Sequence, residues 1–180
     1  MRLFEHPDFG AGDVGYSKCF IHANVVNMRL YVDTSVFGGV FDEEFSEESE
    51  IFFSLVRQGD LVTVVSSLTE KELAPAPEKV CKVLETLPES SVIRIPVTKE
   101  AEALAEEYIV RGAVGRQFAA DALHIALATL SSAELVVSWN FKHIVNIFRI
   151  RKYNSVNVLF GHRQLEIRSP REVIYEKEGI

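Results

Sequence analysis

Four positions along this chain carry oxygen-bearing side chains where a strand or helix pattern gives way to a turn. Asp33 closes the short apolar run LYV, and Thr34 and Ser35 follow it as hydroxyls able to orient its carboxylate. Glu72, with Glu70 nearby, lies in SSLTEKEL after a β-branched run. Asp121 sits within the alanine-rich segment FAADALHIALATL, with His124 three residues on and on the same helix face. Ser138 and Asn140 alternate with Trp139 in VVSWNFKHI, so both can point to one side. Each has a plain structural reading. Asp33 can be a turn or N-cap aspartate. Glu72 can be the capping-box partner of an N-cap Thr69. Asp121 can be a helix-start residue on the rim, His124 a core histidine, and Asn140 a cap.

Taken together the set says more. Carboxylates that converge repel one another, so they are tolerated with a cation or a shared proton. Oxygen-only donors favour a hard ion, Mg²⁺ or Mn²⁺. A cluster of this kind suits metal-assisted attack of water on a phosphodiester: the ion lowers the pKa of water and stabilises charge on the leaving oxygen. Asp33, Glu72 and Asp121 are the candidate ligands. Ser35, Ser138 and Asn140 are candidate supporting groups.

The elements that must position these residues alternate along the chain. Strands are expected at 30–32, 61–67, 91–97, 134–138 and 156–160, and helices at 46–58, 69–74, 77–87, 98–112, 116–130 and 141–150. Thr98 reads as an N-cap and Gly112 as a helix stop. Strands that are apolar on both faces and alternate with helices predict an α/β protein in three α/β/α layers, with a mostly parallel sheet of four to five strands. The site of such a sheet lies beyond the carboxyl ends of its strands. Residues 1–27 read as an N-terminal extension, with FIHANVV (20–26) as a possible edge strand, and 28–165 as the domain. Residues 166–180 read as a C-terminal tail.

Composition narrows the classes further. The 180 residues are 47% hydrophobic and 25% charged, ordinary values for a folded domain, with a net charge of −7. That acidic balance argues against a broad surface that coats nucleic acid. It does not argue against a nuclease whose carboxylates meet phosphates through a metal. Two cysteines, Cys19 and Cys81, are too few for a disulfide framework or a zinc site. They point, with the lack of a signal-like or membrane-spanning apolar run, to a cytoplasmic protein without a membrane partner. Gly38-Gly39 lack the lysine and spacing of a phosphate loop, no serine sits in a nucleophile-elbow pattern, and the five histidines lack zinc-ligand spacing. The acidic run Asp42, Glu43, Glu44, Glu47, Glu48 and Glu50 reads as a solvated helix start, or as a face for an arginine-bearing partner. Phe41, Phe45, Phe52 and Phe53 interleave with it as core, or as a partner groove.

VDTSV, SSLTEKEL, DALHIALA and VVSWNFKHI, in this order, resemble the PIN domain, and within it the VapC-like toxins, over roughly residues 28–160. The closing LEIRSPREV is similar to that of a bacterial PIN subgroup that shares the SWNFKHIVN motif. The resemblance implies a Mg²⁺- or Mn²⁺-dependent ribonuclease that cuts RNA, pairs with a cognate antitoxin and forms a homodimer. Asp33, Glu72 and Asp121 match the family's first three acidic positions, and Ser138 matches a small hydroxyl residue. The fourth acidic position falls around Asn140, a neutral amide, which weakens any second metal site. His143 stands where some relatives carry Asp, and no role is assigned to it. The alternative reading is a catalytically weakened PIN-fold module that binds RNA or protein. A weaker third reading is a phosphate-accepting α/β protein, with Asp33 as acceptor.

Overall fold

The computed structural model describes residues 28–131 and 133–178. The expected N-terminal extension, its possible edge strand and Cys19 lie outside them.

The first strand, β1 (Met28–Val32), is the centre of the sheet. Its alternation fixes the layers. Leu30 and Val32 point into one apolar cluster, and Tyr31 points into the other. After β1 come α1 (Thr34–Gly39) and α2 (Ser46–Arg57), then β2 (Leu61–Ser66). Next are α3 (Ser67–Leu73), α4 (Glu78–Glu85) and β3 (Val92–Ile95). The chain then forms α5 (Lys99–Val110), α6 (Ala119–Leu130) and β4 (Leu135–Val137), followed by α7 (Ile147–Leu159), β5 (Glu166–Arg168) and α8 (Pro170–Glu178).

The five strands lie in the order β3-β2-β1-β4-β5, all parallel. Parallel strands must be joined by crossovers, and these place helices on both faces. Val36, Phe37, Phe52, Phe53, Val83, Val173 and Ile174 cover one face with α1, α2, α4 and α8. Tyr108, Ile125, Ala126, Tyr153 and Val156 cover the other with α5, α6 and α7. The expected three-layer α/β/α architecture is the one observed. Chain order reverses between β1 and β4, since β1 is followed by its neighbour β2 on one side and β4 by β5 on the other. A crevice therefore opens at the carboxyl ends of β1 and β4.

Several local expectations hold. Thr98 caps α5 by accepting from the Ala101 N–H at 3.2 Å, and Gly112 follows that helix with φ 70°. Phe52 and Phe53 are fully buried, which makes them core rather than partner groove. Others are corrected. Residues 156–160 are not a strand. Asn146 caps α7 through its side-chain oxygen, at 3.1 Å from Phe148 N and 3.3 Å from Arg149 N, and the helix runs on to Leu159 before Gly161 turns the chain at φ 77°. The expected helix at 141–150 is accordingly turn until Asn146. The fifth strand is Glu166–Arg168, registered Val137↔Arg168 on β4. The expected tail is thus part of the fold: Ile167, Val173 and Ile174 are buried, and Arg171 pairs with Glu48 at 2.6 Å.

Candidate active site

Asp33 is the first residue past β1, and two forces hold it there. Its backbone N–H completes the ladder to Val137 O at 3.0 Å. Its side chain caps α1, with Oδ2 accepting from Ser35 N at 3.3 Å and from the Ser35 hydroxyl. Ser138, just past β4, donates to the same Oδ2 at 2.8 Å. Asp33 is only 6% exposed, so these three donors offset the desolvation of its charge. Both readings of Asp33 are therefore true at once: it is a cap and a member of the cluster.

Glu72 is not a capping-box residue. Ser66, not Thr69, caps α3, accepting from Thr69 N at 3.1 Å. That one-turn shift frees Glu72 to reach over the sheet end, where Oε2 accepts from Thr34 Oγ1 at 2.5 Å and from His124 Nε2 at 3.0 Å. Burial works against its charge, but the bonds from His124 and Thr34 outweigh burial and hold its pKa below the usual value.

Asp121 lies in the first turn of α6, which begins at Ala119 rather than 116 because residues 116–118 form a single 3-10 turn. It is half-buried at the helix N-terminus, the rim position the sequence allowed. Its Oδ1 accepts from Asn140 Nδ2 at 2.8 Å. Burial first, then the charges of Asp33 and Glu72, push its pKa up to about 6, against the pull of His124 and Asn140. Asn140 is fixed from both ends, since its Oδ1 takes the His143 N–H at 3.0 Å and its backbone N–H donates to Ser138 Oγ at 2.9 Å. Ser35 also accepts from Trp139 N at 3.0 Å, so the turns after β1 and β4 are tied together through one hydroxyl.

The residue the sequence undervalued is His124. It is 2% exposed and lies amid the cluster, with Nε2 also 3.7 Å from Asp33 Oδ1. Its Nδ1 meets the Tyr31 hydroxyl at 2.8 Å, and that hydroxyl meets Ser66 Oγ at 2.8 Å. Burial opposes charge on the ring, but the Glu72 bond and the charges of Asp33, Glu72 and Asp121 raise its pKa above the ordinary value. The one available signal was its i+3 spacing from Asp121; its partners Tyr31 and Glu72 are far away in sequence. His143 stands apart, its ring stacked on Phe118 at 3.6 Å.

The donor chemistry suits a hard divalent ion. Among the described residues, Asp33, Glu72 and Asp121 each keep one carboxylate oxygen that accepts no hydrogen bond from the chain. Among the described residues, no group of three or more His, Cys, Asp or Glu side chains is drawn together closely enough to hold a metal ion as the chain stands.

A chain of the DNA-bound VapBC from Salmonella typhimurium aligns with 79% of this chain and 98% of its own, at 17% identity and a TM-score of 0.51. The fold is that of a VapC-like PIN domain. Two further solved structures align less well. The sarcin–ricin loop cleaving toxin VapC20 from Mycobacterium tuberculosis aligns with 63% of this chain and 92% of its own, at 16% identity and a TM-score of 0.49. VapBC2 from Rickettsia felis, bound to a promoter DNA fragment, aligns with 79% and 98%, at 13% identity and a TM-score of 0.46. No family model and no curated protein matches the sequence. In this PIN-like fold the carboxylates gather where the strand order reverses, which is where an open parallel sheet places its ligands.

Proposed function

We propose that the chain is a metal-dependent endoribonuclease of the toxin–antitoxin kind, which hydrolyses RNA phosphodiesters with water as nucleophile. The observation that carries the reading is the meeting of Asp33, Glu72 and Asp121 at the carboxyl ends of β1 and β4, from segments far apart in sequence. Nothing in the packing of the sheet requires three carboxylates there, and their mutual repulsion costs stability. The likeness in fold to VapBC adds support.

In this reading Asp33, Glu72 and Asp121 hold Mg²⁺ or Mn²⁺ through their free oxygens. When bound, the ion supplies positive charge for the phosphate and makes water easier to deprotonate. The remaining work belongs to the chain. Ser35 and Ser138 keep the Asp33 carboxylate in one orientation by donating to Oδ2. Thr34 and His124 do the same for Glu72. Asn140 orients Asp121. Asp121, its pKa pushed up to about 6 chiefly by burial, takes a proton near neutral pH more readily than an ordinary aspartate.

RNA is the proposed substrate and an antitoxin protein the proposed partner, with a second copy of the chain as a further one. Ile147, Phe148, Val158 and Leu159 of α7 are exposed apolar residues that a protein partner would cover. No helix among the described residues is long and apolar enough to cross a membrane. We place the protein in the cytoplasm, where RNA is available.

The test is cleavage of a total RNA or tRNA pool by the purified chain with Mg²⁺ or Mn²⁺, with an EDTA control and Asp33→Ala in parallel. Cleavage that needs the ion and vanishes in a folded Asp33→Ala protein is the expected result. Cleavage that persists in that variant overturns the assignment. The second reading, a weakened binding module, is favoured by one observation: a neutral amide, Asn140, bonds Asp121 where another carboxylate would complete the site. Cleavage gained in Asn140→Asp but absent from the wild type would select that reading.

A further inference from the structure

We infer that Lys142 and Arg149, set about the Phe118–His143 ring stack, bind phosphates of a single-stranded RNA beside the carboxylate cluster, and that Phe141 seats one of its bases. The inference rests on the proposed ribonuclease reading and deepens it by naming where the strand lies.

Charge is unevenly spread along the chain. The net charge is −7, yet residues 135–165 hold no Asp or Glu and five cations: Lys142, Arg149, Arg151, Lys152 and Arg163. This stretch begins with β4, carries Ser138 and Asn140 past the sheet end, and continues through α7. Elsewhere Arg57, Arg94, Arg111, Arg116 and Arg171 each meet a carboxylate at 3.2 Å or less. Lys142 and Arg149 meet none among the described residues. Arg149 Nη1 donates instead to Ala113 O at 2.7 Å, and Lys142 Nζ lies 5.9 Å from the Phe118 ring centroid. A guanidinium fastened by one N–H to a carbonyl keeps its full charge and its other donors for an anion.

The two cations stand next to the site. Phe118 lies three residues before Asp121, and its ring stacks on His143 with centroids 3.6 Å apart. The His143 N–H donates to Asn140 Oδ1 at 3.0 Å, and Asn140 Nδ2 donates to Asp121 Oδ1 at 2.8 Å. One side chain thus joins the stack to the cluster. Packing alone does not call for a histidine here: it is 7% exposed, and its Nδ1 is buried with no hydrogen-bond partner. Burial first, then the charges of Lys142 and Arg149, hold its pKa below the ordinary value, so the ring stays neutral and adds no repulsion to theirs.

Phe141, adjacent to Lys142, is 49% exposed, and its ring is held 5.9 Å from that of buried Trp139. An aromatic ring with one side in water beside cations suits an unstacked base, since every base has a π-face. A duplex hides those faces, which is why a single strand is the occupant. An acidic protein segment would match the cations but would leave Phe141 without a use.

The experiment is fluorescence anisotropy of a labelled oligouridylate with the full chain at low salt, in EDTA to block any metal-dependent cleavage. Lys142→Gln and Arg149→Gln, checked for folding by circular dichroism, are each expected to weaken binding about two- to fivefold and to reduce the salt slope by about 0.7. Arg149→Lys keeps the charge and is expected to restore most of the affinity. Phe141→Ala is expected to cost about fivefold, and Phe141→Trp to bind like the wild type. Lys82→Gln, on α4 across the sheet, is expected to change nothing. Folded Lys142→Gln and Arg149→Gln proteins that bind like the wild type, or a Lys82→Gln that loses as much as they do, overturn the inference. A duplex bound as tightly overturns the single-strand assignment. Polyglutamate bound as tightly, with the same losses in the variants, gives the face to an acidic protein instead. No binding by the wild type overturns the inference too, while the metal-dependent cleavage of the RNA pool decides the nuclease reading separately.

Discussion

At the scale of the residue, the site shows carboxylates held in place by donors rather than by cations of the chain. Ser138 is fully buried and spends its hydroxyl on Asp33, so Ser138→Ala should cost about 1 kcal/mol in urea unfolding. It should also lower cleavage, since Asp33 is then free to turn. Asp121 has the opposite character. Its folded pKa of about 6 lies above its unfolded value of about 4, so the fold favours the protonated form. The sign follows from linkage: this contribution is fully present below the unfolded value and is lost as pH rises through about 6. Asp121→Asn in EDTA should therefore stabilise the chain at pH 7. Allowing for a half-exposed group, the gain is roughly 1 kcal/mol, or a Tm higher by about 2–4 °C. The variant should also flatten the dependence of Tm on pH between about 4 and 6, and weaken Mn²⁺ binding. A lower Tm would show that the charge repulsion inferred at Asp121 is absent.

At the scale of the element, two contacts decide whether the site is assembled. The helix that Asp33 caps, α1, ends at Gly39, where an added Cβ would lie 2.6 Å from Ser49 Oγ and 2.7 Å from Trp139 Nε1. Those atoms belong to a packed unit: Trp139 donates to Ser49 at 2.9 Å and stacks on Phe45 with centroids 4.5 Å apart. Gly39→Ala should thus cost about 1–3 kcal/mol by overpacking. It should lower activity more than Ser49→Ala, because displacing Trp139 moves the turn that carries Ser138 and Asn140. The second contact is β5 with α8. A chain cut after Leu165 loses the buried side chains of Ile167, Val173 and Ile174. At about 1.5–3 kcal/mol each, that is comparable with the whole stability of a domain. Circular dichroism of the truncated chain should show loss of cooperative unfolding. A truncated chain with unchanged Tm would restore the reading of 166–180 as a tail.

At the scale of the molecule, the net charge of −7 shapes how a polyanion is met. Glu48 and Glu50 of the acidic run are paired with Arg171 and Arg57, and the rest stays exposed near α2. If the proposed function holds, such a surface repels RNA at long range, so binding would rest on few phosphate contacts and on the proposed ion. The logarithm of the RNA affinity should fall with the logarithm of salt concentration with a slope shallower than about −2, the value for roughly three phosphates on a single strand. A slope as steep as that of a coating protein would show that RNA is met by many phosphate contacts instead.

Much of the fold was legible in the sequence, for a physical reason. A strand buried on both faces must be apolar throughout, and helices between such strands must cover them, so LYV, LVTVV and ELVVS announced a parallel sheet locally. Asp33, Ser138 and Asn140 were legible because polar residues that directly follow buried strands can only lie at the sheet end. The errors have one source. VNVLF is β-branched and apolar, and a run this short does not tell a strand from a helix; the Asn146 cap and the packing of Val156 and Asn157 against α5 and α6 chose the helix. EIR carries too little apolar pattern to announce a strand, and it became one only because β4 offered an unpaired edge. The cap of α3 fell to Ser66 because β2 ends there, which is what turned Glu72 toward the site. His124 shows the limit most clearly. Whether a histidine in an apolar helix is filler or the centre of a polar network depends on what stands opposite it. Tyr31 is 93 residues away and Glu72 is 52, so only the closing of the sheet between them could decide.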